Sequence, residues 1–443
     1  MTGTGAIKLF PPFNLAFRAK PQAMDPSVEV SCNDADIARQ CPNSKYQHGW
    51  RRIVRNFTPS WFSVNMGTGI VSILLQNLPY NGAWLYWLSV SLFATNVLLF
   101  TLFLAISTLR YTLYPRIWTA MINHPAQSLF LGTFPMGLAT LINMTVYVCV
   151  PAWGPSFARL AWALWWLDAA LSLATCTFLP FALMSLHAGT ELASMTAAWL
   201  LPIVSPIVAA ATGGVVAEAL LPINPAHAAT TVLASYVLWG TGVPLALAVL
   251  VIYFHRLAVH KLPAREVVVS VFLPLGPLGQ GGFGVMQLGK VARTLFPITG
   301  TLGGAAGAGG EKELAARAGE VLYVCGWLTA VVMWGFGLVW LFFAVATIVA
   351  RCKLRFPFNM GWWGFTFPLG VYAVSTVTMG EELPSGFFRV VGTGLSVVVA
   401  VLWVGVAAGT VKRAWSGEMF FSPCVKSLDE KMGLMRGEGE EGA

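Results

Sequence analysis

The sequence predicts an all-α polytopic membrane protein. Ten transmembrane helices form five helical hairpins in a pseudo-fivefold arrangement around a central pore, odd helices inner and even helices outer. Three observations carry this. The 443 residues are 56% hydrophobic and 10% charged, where a soluble chain carries about 25% charged residues. The charges gather between apolar runs longer than the roughly 20 residues that cross a bilayer. A short motif also recurs in alternate runs: Thr133-Phe134-Pro135-Met136-Gly137, Leu200-Leu201-Pro202-Ile203-Val204, Phe272-Leu273-Pro274-Leu275-Gly276 and Thr366-Phe367-Pro368-Leu369-Gly370. A fifth copy, Val64-Asn65-Met66-Gly67-Thr68-Gly69, has glycines in place of the proline.

Residues 1–55 read as a cytoplasmic N-terminal tail. They are polar and proline-interrupted, lack the apolar core of a cleavable signal, and carry one apolar patch, 9–17, able to rest on the membrane. Residues 56–415 form the ten-helix transport domain, with spans near 60–79, 84–108, 127–150, 157–183, 195–218, 227–254, 267–289, 320–350, 360–379 and 386–411. The prolines stand 67 residues apart from Pro135 to Pro202, 72 to Pro274 and 94 to Pro368. That period describes a repeated hairpin of one broken and one smooth helix. Proline inside a helix removes a backbone donor and kinks it, and a membrane tolerates this where neighbours or cavity water satisfy the freed groups. The kinked odd helices are therefore placed at the pore. The lengthened last interval contains Gly303-Gly304-Ala305-Ala306-Gly307-Ala308-Gly309-Gly310 in an outer loop near 290–319, a linker rather than a phosphate cradle, because no G-K-[ST] ending follows. Residues 416–443 read as a disordered cytoplasmic tail ending in acidic residues.

Ten spans put both ends on one side, and basic residues choose it. Arg51, Arg52, Arg55, Arg110, Arg116, Arg256, Lys261, Arg265, Arg351, Lys353, Arg355, Lys412 and Arg413 flank the spans on the side of the termini; Arg159, Lys290, Arg293, Lys312, Arg317 and Arg389 lie opposite. Both termini are therefore expected in the cytoplasm. The same rule accounts for the net charge of +8 without nucleic acid. The seven cysteines show no metal-binding spacing, and no metal or cofactor is expected.

Among residues that could carry chemistry, Asp168 is the ionisable group deep in a span, where a charge costs roughly 2.5–3.5 kcal/mol. It is either a proton-coupling site or a hydrogen-bonding residue between an inner and an outer helix. His187, beside Glu191 in a cytoplasmic turn, is a second proton-coupling candidate. An anion path would use neutral dipoles: Ser63, Asn65, Thr68 and Ser72 on span 1, Thr133 and Asn143 on span 3, Gln280 on span 7 and Thr366 on span 9, with backbone amides at the breaks. Phe134 and Phe367 each precede a proline, where an aromatic ring either packs or closes a narrow pore by dewetting.

The segment Asn56-Phe57-Thr58-Pro59-Ser60-Trp61-Phe62-Ser63-Val64-Asn65-Met66-Gly67-Thr68-Gly69-Ile70 resembles the opening signature of fungal sulfite efflux pumps. These belong to the tellurite-resistance/dicarboxylate transporter family, akin to plant slow anion channels. Trp199-Leu200-Leu201-Pro202-Ile203-Val204 and Trp363-Gly364-Phe365-Thr366-Phe367-Pro368-Leu369 are similar to that family as well. The resemblance implies five hairpins around a pore, Phe367 as its plug, Asn65 facing the substrate, and a homo-oligomer, a trimer in bacterial and plant relatives. It implies plasma-membrane export of sulfite or bisulfite; the alternatives are malate or another dicarboxylate, nitrate or chloride, and, from a different class, an integral-membrane enzyme. A dicarboxylate would favour a fixed arginine in the pore, and no span carries one at mid-depth. An enzyme would need a titratable or metal-binding cluster.

Overall fold

The computed structural model describes residues 49–186, 191–303, 310–351 and 356–428, within a compact unit that begins at His48. His187 lies outside the described residues. The regular elements among them are helical. The long helices are α1 (Phe62–Gln76), α2 (Ala83–Leu113), α3 (Thr133–Met144), α4 (Pro155–Ser185), α5 (Leu200–Leu220), α6 (Pro225–His260), α7 (Leu275–Thr299), α8 (Gly310–Arg351), α9 (Thr366–Glu382) and α10 (Gly386–Ser416). Eight helical stretches are long and apolar enough to cross a membrane. The remaining helices, α1 and α9, have 15 and 17 residues.

A helix that is apolar all round is stable only inside a protein or against lipid, and the ten divide on that line. The most apolar window of α5 is 100% buried, whereas those of α2 and α10 are 22% buried. Fourteen residues of α1 are buried. Leu98, Phe178, Val237, Phe342 and Val401, one from each even helix, are all more than two-thirds exposed, as lipid-facing side chains are. Each odd helix packs on the even helix that follows it, and α1 packs on α3, α3 on α5, α5 on α7, α7 on α9 and α9 on α1.

Close approach needs glycine. A Cβ on Gly279 of α7 would lie 2.6 Å from the Tyr372 backbone nitrogen of α9, and one on Gly289 would lie 2.7 Å from the Leu322 carbonyl oxygen of α8. Side chains there would force two backbones apart.

The structure changes the reading of the prolines. Pro135, Pro202, Pro277 and Pro368 are each the third residue of their helix, after a 3₁₀ turn at Ser128–Gly132, Ala197–Trp199, Arg265–Phe272 or Met360–Phe365. α1 follows a similar turn, Pro59–Trp61. At the passage from the 3₁₀ turn into the α-helix a proline fixes a helical φ and forgoes one bond to the preceding turn. These prolines start α-helices rather than kink them; Pro206 in α5 is the interior one of the set. The fourth hairpin's matching proline is therefore Pro277, not Pro274.

Three boundaries also differ. Residues 290–299 and 310–319, read as loop, continue α7 and α8, because lysine, arginine and glutamate end a membrane span without ending a helix. Residues 417–428, assigned to the loose tail, pack in place: Phe420 stacks on Trp61 at 5.2 Å, and residues 423–428 are helical. Arg110, read as a surface cation, is fully buried. It donates to the Arg55 and Phe57 carbonyls at 3.1 and 2.6 Å and to Ser422 Oγ at 3.2 Å, joining the two ends of the described chain.

Gly279→Val should lower the thermal midpoint in detergent by an amount equivalent to about 1–3 kcal/mol, through overpacking. Gly240→Ala on α6, where a Cβ meets nothing within 4 Å, should be neutral or stabilising by up to about 1 kcal/mol. Equal midpoints for the two variants would refute the close-packing account.

Candidate functional site

The five 3₁₀ turns lead to one cavity of about 760 Å³. Each odd helix contributes from its N-terminal end: Ser60 and Ser63 before and on α1, Phe130 and Met136 for α3, Leu201 and Val204 on α5, Ser270 and Gly276 for α7, Trp363 and Phe367 for α9. Each preceding 3₁₀ turn takes up the first amides of its helix, as Phe62 N–H donates to the Pro59 carbonyl and Thr366 N–H to that of Trp363, so what the five ends present to the cavity is the positive end of each helix dipole. Five such ends around one space make it favourable to anions; among the described residues the lining contains no arginine or lysine. Its carboxylates, Glu266 and Glu418, lie 3.9 and 3.5 Å from Arg265 and Arg413.

A second cavity of about 170 Å³ is lined from the far ends of the same helices: Asn77 after α1, Tyr147 in the π turn after α3, Glu218 on α5, Gln287 and Lys290 on α7, Glu381 on α9. The five inner helices therefore run parallel. Lys290 Nζ lies 3.6 Å from Glu218 and 3.9 Å from Glu382. Gln287 donates to Glu218 at 2.6 Å, and Tyr323 OH donates to Glu382 at 2.6 Å. α7 connects the two cavities along one face: Gly276 lines the first, Phe283 and Gln287 line the second, and Gln280, one turn past Gly276, shares that face at 3.6 residues per turn.

Of the residues singled out in the sequence, Phe367 stands on the large cavity, 4% exposed, and Gln280 lies between the cavities. Ser63 lines the large cavity as well, whereas Asn65, Thr68, Thr366, Phe134 and Asp168 point elsewhere. Asn65 is fully buried and donates to the backbone oxygen and Oδ1 of Asn96 on α2, at 3.3 and 2.9 Å. Thr68 accepts from Trp403 Nε1 of α10 at 3.1 Å. Thr366 donates to the Trp363 carbonyl at 2.9 Å. Phe134 packs edge-on to Phe62 and stacks on Phe100. Asp168 is fully buried on α4 with neither oxygen hydrogen-bonded and lines neither cavity. Polarity in an apolar span predicts that a side chain has a partner; here the partner is usually an outer helix.

Sequence reasoning missed the second cavity, whose Glu218, Lys290 and Glu381 stand near span ends and look like ordinary interfacial charges. It also missed the C-terminal segment, which lends Glu418, Met419, Phe421 and Pro423 to the large cavity. The apolar Met-Phe-Phe run of residues 419–421 in a tail otherwise polar is the signal that could have found it. Among the described residues no group of three His, Cys, Asp or Glu side chains could hold a metal ion.

Comparison with known proteins places these features. Residues 56–411 match the family described as SLAC1, voltage-dependent anion channel. The chain is 54% identical over 367 residues to the sulfite efflux pump SSU1 of Arthroderma otae, covering 83% of this chain and 93% of that one. It is 26% identical to the sulfite efflux pump SSU1 of Saccharomyces cerevisiae, over 77% and 84% of the two chains. It is 25% identical to the malic acid transport protein of Schizosaccharomyces pombe, over 79% and 77%.

Asn65→Leu and Asn96→Leu should each lower stability by about 1–3 kcal/mol, by leaving a buried amide unpaired. The double variant should lose less than the sum. Additive losses in thermal unfolding would show that the two amides do not depend on each other.

Proposed function

The chain belongs to the voltage-dependent anion channel family, and we propose that it exports sulfite or bisulfite across the plasma membrane through a passage between its five inner helices. The observation that carries this reading is the convergence of five parallel helix N-termini on one cavity whose described lining has no fixed cation. Such a site attracts a small anion by dipoles and holds it weakly enough for release. An amide-bearing face of α7 leads from there to the second cavity.

In this reading all ten long helices cross the membrane as five hairpins in a pseudo-fivefold ring, with α1 and α9 completed by their 3₁₀ turns. The large cavity opens to the cytoplasm, on the side of Arg51, Arg52, Arg55 and Arg413, with both termini there. Phe367, second residue of α9, closes the path below the cavity, and Gln280 meets the anion beyond it. The functional unit is a homo-oligomer. The protein is a transporter rather than an enzyme: it moves an anion without altering it. Malate, the substrate in the name of the Schizosaccharomyces pombe relative, fits less well, because two separated carboxylates favour a bidentate arginine and the described lining has none.

Purified protein in liposomes should pass sulfite faster than malate, nitrate or chloride. Malate outrunning sulfite would overturn the substrate assignment. Phe367→Ala should raise sulfite flux several-fold by removing the apolar closure; unchanged flux would remove Phe367 from the path.

A further inference from the structure

Asn143 near the end of α3 is a buried amide whose oxygen no described group engages. It is 6% exposed, and its Oδ1 is buried without a hydrogen-bond partner. Leaving such a group unpaired costs stability, so its retention needs a reason. Its position supplies one. Met136, seven residues earlier, lines the large cavity, and Tyr147, four residues later, lines the second. Seven and eleven residues are close to two and three helical turns, so Asn143 stands on the inward face of α3 between the two cavities. Neighbouring faces are accounted for: a Cβ on Gly137 would approach Asn65 and Phe100, and Thr140 lies against Gly69 of α1. The helix then opens into a π turn at Thr145–Cys149, a distortion that recurs at functional sites.

Gln280 of α7 and Asn143 of α3 are thus staggered along the passage. Gln280 lies about one turn beyond the large cavity and Asn143 about one turn before the second. Each carboxamide offers two donors and one acceptor oxygen. The donors suit any oxyanion. The unpaired oxygen suits only an anion that itself carries an O–H.

We propose that Asn143 is a specificity-determining residue whose amide oxygen accepts a hydrogen bond from the hydroxyl of a singly protonated oxyanion, so that the passage selects hydrogen sulfite over anions lacking a donor. This rests on the pore reading and adds the protonation state of the transported species. A site with a buried acceptor discriminates against an analogue lacking the hydroxyl, because the acceptor is then left dry and unpaired.

The test compares hydrogen sulfite with methanesulfonate, in which a methyl group replaces the hydroxyl, in liposomes at mildly acidic pH. The wild-type protein should pass hydrogen sulfite about tenfold faster or more. Asn143→Leu keeps the volume but removes the acceptor together with the two donors, so both fluxes should fall and the ratio should come close to one. Asn143→Ser, which restores an acceptor, should recover part of the preference and serves if the leucine variant does not elute as folded protein. A preference unchanged in both variants, or absent from the wild-type protein, overturns the role of Asn143 and leaves the pore reading intact. No flux of any anion through the wild-type protein overturns both.

Discussion

Each inner helix is returned by an outer partner before the next inner helix begins, and this fixes the direction of all five. In an apolar surround backbone groups must be satisfied within each helix, so the chain has little choice of element. The alternation then decides polarity: five N-termini gather at one end and five C-terminal halves at the other. An antiparallel ring of the same helices would cancel its dipoles. The parallel helices concentrate positive ends around a cavity whose described lining holds no lysine or arginine. At the far end Glu218 and Glu382 stand near the negative helix ends, where carboxylates are disfavoured, and Lys290 between them offsets the repulsion.

Buried polar side chains mostly hold the hairpins together. Ser72 and Ser89 each donate to the other's backbone carbonyl at 2.8 Å across α1 and α2. Trp165 of α4 donates to the Ala209 carbonyl of α5 at 2.8 Å, and Trp334 of α8 donates to Thr376 of α9 at 2.9 Å. With lipid outside, exclusion from water contributes little between these helices, and hydrogen bonds and close glycine contacts take its place.

Much of the fold was legible. The alternation of motif-bearing and plain apolar runs separated inner from outer helices, because the motif marks the 3₁₀ start that each inner helix has and that no outer helix has among the described residues. The prolines were visible, but their role was not. Whether a proline kinks a helix or begins one depends on where the helix starts, and apolar 3₁₀ turns such as Ser128–Gly132 carry no hydropathy signal that separates them from the helix. Asn65, Thr68 and Thr366 show the other limit. Their polarity announced a partner, but the direction of that partner depends on helix rotation, which α2, α10 and the local backbone decide. Gln280 and Asn143 became separable from them only once Gly276, Gln287, Met136 and Tyr147 marked the inward faces.

The inward face of α7 offers the most direct measurement. Cysteine placed singly at Gly276, Gln280 and Gln287 would point along the passage, and cysteine at Leu278 and Val285 would point into the packing behind it. Each variant would be treated with an anionic, water-borne thiol reagent and compared with the unsubstituted protein, whose own cysteines set the background. A water-filled anion path predicts rapid modification at 276, 280 and 287, with loss of flux, and slow modification at 278 and 285. Equal reactivity at all five positions, or reaction at 278 and 285 alone, would contradict a passage between the inner helices.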